Sequence, residues 1–187
     1  GEGYSNTLLL MAKSRSGGFG NIPFISTLEV EALSAGHIRI RVYEKTIVGY
    51  VSYMGTNLYF DKDGMVVESS TEVLDGVPQI SGLKFSEVTL YEQLPVSKPD
   101  VFRIILNLTQ ALDKNDVHPD RIAFADNLSI TLWFGEARVL FGTEDMMDEK
   151  IANLASFVDD LKERKGTLHM ENFTEDTQNL IFDGDDG

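Results

Sequence analysis

The sequence predicts a mixed α+β protein, with a helix–strand–strand unit over residues 1–47, a strand-rich domain with two helices over 48–182, and an acidic disordered tail over 183–187. Three observations carry this reading. Apolar and polar residues alternate at period two through 27–45, strand-like segments recur at 47–67 and 121–141, and two stretches, 99–113 and 145–161, place apolar residues at helical spacing. At 187 residues, 42% of them hydrophobic, the chain is long enough to bury a core without staples.

Asn6 or Thr7 caps a short helix through Lys13, which the Ser14–Gly20 run ends. Leu28, Val30 and Ala32 then fall on one side of a strand, and Ile38, Ile40 and Val42 on one side of the next. The short link Ser34-Ala35-Gly36 makes the two a hairpin. Ile47–Met54 is strand material, and Leu58–Phe60, the turn Asp61–Gly64 and Met65–Val67 make a second hairpin. Val101, Ile104, Ile105, Leu108 and Leu112 form a helical stripe, with Pro99 suited to its first turn. Strands follow at Arg121–Phe124, Leu128–Phe134 and Ala137–Phe141, the last two turning at Gly135-Glu136. A single helix opened by Asp145 or Asp148 then carries Met147, Ile151, Leu154, Val158 and Leu161, with Gly166 as its C-cap. Thr167–Asn172 is the last expected strand.

Sixteen Lys and Arg against thirty Asp and Glu give a net charge of −14, the wrong sign for a nucleic-acid backbone. Most of the excess acid lies beyond residue 50. The absence of cysteine excludes disulfides and thiol nucleophiles. No apolar run approaches the ~20 residues of a membrane span. His37, His118 and His169 are scattered, without a nucleophile or second ligand at motif spacing. Asp61, Asp63 and Gly64 have the start of a calcium loop but not its remaining ligands, so a hairpin turn accounts for them. Ser16–Gly20 lacks the Gly-Lys-Ser/Thr of a phosphate loop. Paired acids such as Asp159-Asp160 and Glu175-Asp176 are read as solvated faces, and Trp133, Phe134 and Phe141 as core. No catalytic site, metal, cofactor or small-molecule substrate is expected.

The order of these elements, together with several local phrases, resembles the extracytoplasmic region of the FtsQ/DivIB family of bacterial cell-division proteins. Ile22-Pro23-Phe24-Ile25 before Leu28–Glu31 resembles the approach to the second strand of that family's POTRA module. Arg39–Lys45 resembles the module's closing strand, Asp61–Val66 an aspartate-and-glycine turn of its β-domain, and Val77–Gly82 its leucine-proline-x-isoleucine-x-glycine segment. The chain departs from the pattern in lacking the first POTRA strand and helix, in Ile47-Val48-Gly49, and in Val77 where leucine is usual.

The resemblance implies a partial POTRA module followed by a β-domain, and a non-enzymatic scaffold held by a single upstream membrane span in the cell membrane. It implies partners that are membrane-anchored coiled-coil division proteins of the FtsB/DivIC and FtsL type. These would dock by strand addition at Thr167, Leu168, His169, Met170, Glu171, Asn172 and Phe173, with Lys150 and Asn153 on the preceding helix. Relatives carry basic residues where this chain has Glu171 and Asn153. With Glu175 and Asp176 nearby, the expected partner segment carries Lys or Arg. The alternative is a POTRA-bearing component of outer-membrane protein assembly or secretion, which would require a barrel downstream. An acid-dependent hydrolase would require two carboxylates converging in a pocket.

Overall fold

The structure is a computed structural model describing residues 24–34, 37–177 and 179–185. The helix expected over 6–13 lies outside the described residues. The chain divides into two compact units, Gly1–Thr46 and Ile47–Gly187.

In the first unit, β1 (Ile25–Ser34) and β2 (His37–Glu44) form the expected antiparallel hairpin. Leu28 pairs with Val42, Val30 with Ile40 and Ala32 with Ile38, so the apolar residues of both strands share one face. Glu29 and Glu31 oppose Arg41 and Arg39 on the other. These ion pairs are solvent-exposed and contribute little beyond register.

The second unit is a nine-stranded sheet. Its first strands are β3 (Gly49–Tyr53), β4 (Thr56–Phe60), β5 (Val66–Ser70) and β6 (Gln79–Ser81), followed by helix α1 (Val101–Lys114). Next come β7 (Arg121–Phe124), β8 (Ile130–Phe134) and β9 (Ala137–Gly142), then α2 (Met147–Ala155) and α3 (Val158–Lys162). The last strands are β10 (Gly166–His169) and β11 (Ile181–Gly184). Across the sheet the order is β11-β10-β9-β8-β7-β6-β3-β4-β5.

The pairs β6–β7 and β9–β10 are parallel, and each is joined by a helical crossover because parallel neighbours cannot be linked by a tight turn. Both crossovers step the same way along the sheet. The right-handed rule therefore puts α1 and the α2–α3 pair on one face, where α1 and α2 meet. Ile122, Leu132, Val139 and Leu168 form an in-register row across β7–β10, all buried, in one core cluster with Ile105, Leu108, Ile151 and Leu154 of the helices.

Several expectations need correction. The helix expected from 145 to 161 is two. The apolar stripe runs unbroken through both, but Ser156 Oγ donates to the Asn153 carbonyl at 2.7 Å and the Ser156 and Phe157 amides make i→i+3 bonds, which ends α2. Its N-cap is Met146, in a left-handed conformation, and neither expected aspartate fills that role. Trp133 lies on the opposite face from the core residues Phe134 and Phe141, as strand alternation requires. β6 is too short for its period to be read, and β11 forms where loop and acidic tail are expected.

Gly166 caps no helix. It begins β10, with φ +148°, because α3 has already ended at Lys162. A Cβ there would collide with the Asp183 carbonyl oxygen and lie 2.9 Å from Gly184 Cα, so glycine is what lets β11 close onto β10. Gly166→Ala is expected to cost about 2 kcal/mol or more in urea unfolding and to raise hydrogen exchange selectively at residues 181–184. Unchanged protection there would show that the close approach is not what seats β11.

Candidate functional site

The segment expected to present an open edge is interior to the sheet. β10 pairs in parallel with β9 on one side and antiparallel with β11 on the other, in the register Thr167–Asp183, Leu168–Phe182 and His169–Ile181. Thr167, Leu168 and Met170 are buried, Leu168 and Met170 in the core. Phe173 packs against the same core from the loop that leads, with Leu180 and Phe182, into β11. Glu171, Asn172 and Asn153 are exposed, and the Asn153 amide donates back to the Glu149 carbonyl. A partner can reach His169, Glu171, Asn172 and Asn153 directly, but not the main chain of β10 while β11 is in place.

The sheet edge on this side is β11 itself. The Asp185 amide donates to the Lys165 carbonyl, and the Met170 amide to the Leu140 carbonyl of β9. Antiparallel alternation from these two bonds turns the main chain of Ile181 and Asp183 toward β10 and that of Phe182 and Gly184 away from the sheet. Among the described residues no strand pairs with that outer side. Asp183 and Gly184, assigned to a disordered tail, are thus the edge.

His169 links both neighbours of the edge. Its Nδ1 lies 2.8 Å from Glu171 Oε1 and its Nε2 3.2 Å from Asp183 Oδ2. The hydrogen bond to Glu171 and the negative charge of both carboxylates raise the His169 pKa above its usual value, against a smaller opposing effect of desolvation. For Glu171, desolvation acts upward, but the hydrogen bond from His169 and its backbone contacts outweigh it and lower the carboxyl pKa.

Lys150, expected to meet a partner, is 2% exposed. Its Nζ donates to the carbonyls of Phe141 at 3.0 Å and Thr143 at 3.1 Å, and lies 4.9 Å from the Phe141 ring centre. Burial lowers its pKa. Its work is to hold the end of β9 against α2.

The face opposite the helices is partly open. Over β3 and β4 the loop following β5 covers it: Tyr59 Oη donates to the Glu72 carbonyl at 2.6 Å and accepts from the Leu74 amide. Farther along, Gln79, Arg121, Trp133, Arg138 and Thr167 stand side by side in register on β6–β10. The Arg121 guanidinium lies over the Trp133 ring, 4.2 Å from its centre, and Arg138 Nε donates to Thr167 Oγ1 at 2.7 Å. Gln79, Arg121, Trp133 and Arg138 floor a groove of about 620 Å³, with Asp120, Glu136, Lys165 and Asp185 along its rim. Sequence reading missed this row because Trp133 was placed in the core. The available signal was the alternation itself, which puts Arg121, Trp133 and Arg138 out of phase with their buried neighbours.

Among the described residues no cluster of His, Cys, Asp or Glu is arranged to hold a metal, and no helix is long and apolar enough to cross a membrane. The Asp61 carboxylate accepts from the Asp63 and Met65 amides, as a turn residue does. No protein-family model matches the chain, and neither does any curated protein.

Two outcomes follow from these contacts. A raised folded-state pKa means that the stabilisation from His169 is fully present below the unfolded value of about 6.5 and is lost as pH rises through the folded value. Unfolding free energies from urea titrations are expected to fall slightly between about pH 6 and pH 8.5, by less than about 1 kcal/mol at so exposed a cluster, and His169→Gln removes that slope. Lys150→Ala leaves two carbonyls without their donor and a void beside Phe141, and is expected to cost about 2 kcal/mol or more. A neutral result would assign the bonding of Lys150 no net role.

Proposed function

We propose that the chain is a non-enzymatic scaffold of the bacterial division apparatus, recruiting membrane-anchored coiled-coil partners of the FtsB/DivIC and FtsL type by strand addition at its sheet edge. In this reading it acts outside the cytoplasm, carried by a single membrane span upstream of residue 1. Its mechanism is positioning: an extended partner segment pairs with the main chain of the edge, while side chains around it select the sequence. The reading rests on the resemblance of the ordered sequence phrases to the FtsQ/DivIB family. The single structural observation that carries it is the outward-turned main chain of Phe182 and Gly184 in β11.

The edge is short, and it is acidic around its one paired histidine. Glu171 and Asp183 flank His169, and Glu175 and Asp176 lie in the loop before β11. A partner strand bearing Lys or Arg complements them, and charge of this kind acts mainly on encounter rate and register. Short, charged edges also resist indiscriminate self-pairing, which a scaffold at high local concentration must avoid.

The decisive measurement is binding of a fluorescent extracytoplasmic segment of such a coiled-coil protein to the full chain. Gly184→Pro removes an outward N–H without touching the bonds that hold β11 to β10, so it is expected to weaken binding about tenfold while the melting temperature stays near that of the parent. Binding that is absent in the parent, or unaltered in Gly184→Pro, would reject edge addition at β11.

A further inference from the structure

The open-face groove is separate from the β11 edge and has a chemistry of its own. The chain has thirty acidic and sixteen basic side chains, and Asp120, Glu136 and Asp185 lie along the groove rim. Yet neither Arg121 nor Arg138 forms an ion pair with any described residue. Arg121 Nε and Trp133 Nε1 are both buried and make no hydrogen bond with any described residue. Both atoms are donors only, so the two together call for an acceptor. The guanidinium carbon lies over the indole, 4.2 Å from its ring centre, and this contact restrains a planar fork of the kind that receives a carboxylate at two points. Arg138 spends Nε on Thr167 Oγ1 and keeps its terminal nitrogens for a second contact two strands from Arg121.

The rim narrows the class of ligand. Asp120 is engaged by the Gly135 amide at 2.6 Å, while Glu136 pairs loosely with Lys165 at 3.8 Å and Asp185 stands beside them. A polyphosphate or nucleic-acid strand would bring its charges against these carboxylates. A peptide that places a carboxylate at Arg121 and a cationic residue at the rim meets complementary charge throughout. The volume of about 620 Å³ lies within the range of clefts that bind small ligands or short peptide segments.

We infer that this groove binds a carboxylate-bearing peptide segment of a partner protein, seated on the Arg121–Trp133 stack and Arg138.

Trp133 is the only tryptophan in the chain, so its emission reports on the groove alone. The full chain is titrated with acetyl-Glu-Glu-Lys-amide, with acetyl-Gln-Gln-Lys-amide, and with tripolyphosphate. A saturable change in Trp133 emission is expected with the Glu peptide below about 1 mM, at least tenfold weaker or absent with the Gln peptide, and absent with tripolyphosphate. Arg121→Gln is expected to weaken the Glu peptide about tenfold or more, and Arg138→Gln about fivefold. Arg138 is on the solvent side of β9, so its variant keeps the test valid if Arg121→Gln does not fold. Arg121→Lys, which keeps the charge but not the fork, falls between parent and Arg121→Gln. No saturable change, equal response to the Gln peptide, preference for tripolyphosphate, or unchanged affinity in Arg138→Gln would each overturn the inference. None of these outcomes bears on docking at β11, which Gly184→Pro tests separately.

Discussion

Two helical crossovers between parallel neighbours set the layout of the larger unit. β6 to β7 and β9 to β10 each need a crossover, both crossovers step in the same direction, and the right-handed rule sends both to the same face. One face is thereby buried under α1, α2 and α3 and supplies the core. The other receives only the loop after β5, which covers Tyr59 and leaves the β6–β10 stretch open. The groove follows from that asymmetry.

The edge is shaped by a close approach at Gly166. A residue with a side chain there would push the chain end away and leave β10 as the outermost strand. With glycine, the chain returns along its own sheet and buries Thr167, Leu168 and Met170. The sheet edge on this side is then the four-residue β11 with an acidic surround, and short charged edges resist indiscriminate pairing.

The open face shows how charge is distributed in a strongly acidic protein. The acidic side chains lie mainly on helix exteriors, loops and the edge, while Arg121 and Arg138 flank the sole tryptophan in a row of polar residues. On a strand, a single residue of register separates the Phe134 and Phe141 side chains in the core from the Trp133 side chain in the groove. Aromatic residues adjacent in sequence therefore do quite different work.

Local periodicity is enough to read the elements long enough to show it: the β1–β2 hairpin with its apolar face, the β3–β5 strands, α1, the β7–β9 meander and the apolar stripe shared by α2 and α3. In each, local alternation or helical spacing is the packing pattern. Only the tertiary structure decided that β6 and β11 are strands, because three or four residues carry no measurable period and pairing alone stabilises them. It likewise decided the roles of Gly166, Lys150 and Trp133. Those depend on groups distant in sequence: the Asp183 carbonyl, the Phe141 and Thr143 carbonyls at the end of a strand, and a guanidinium on the neighbouring strand. In the C-terminal segment the expected last strand forms as β10, and long-range pairing with β11 makes β11 the edge in its place.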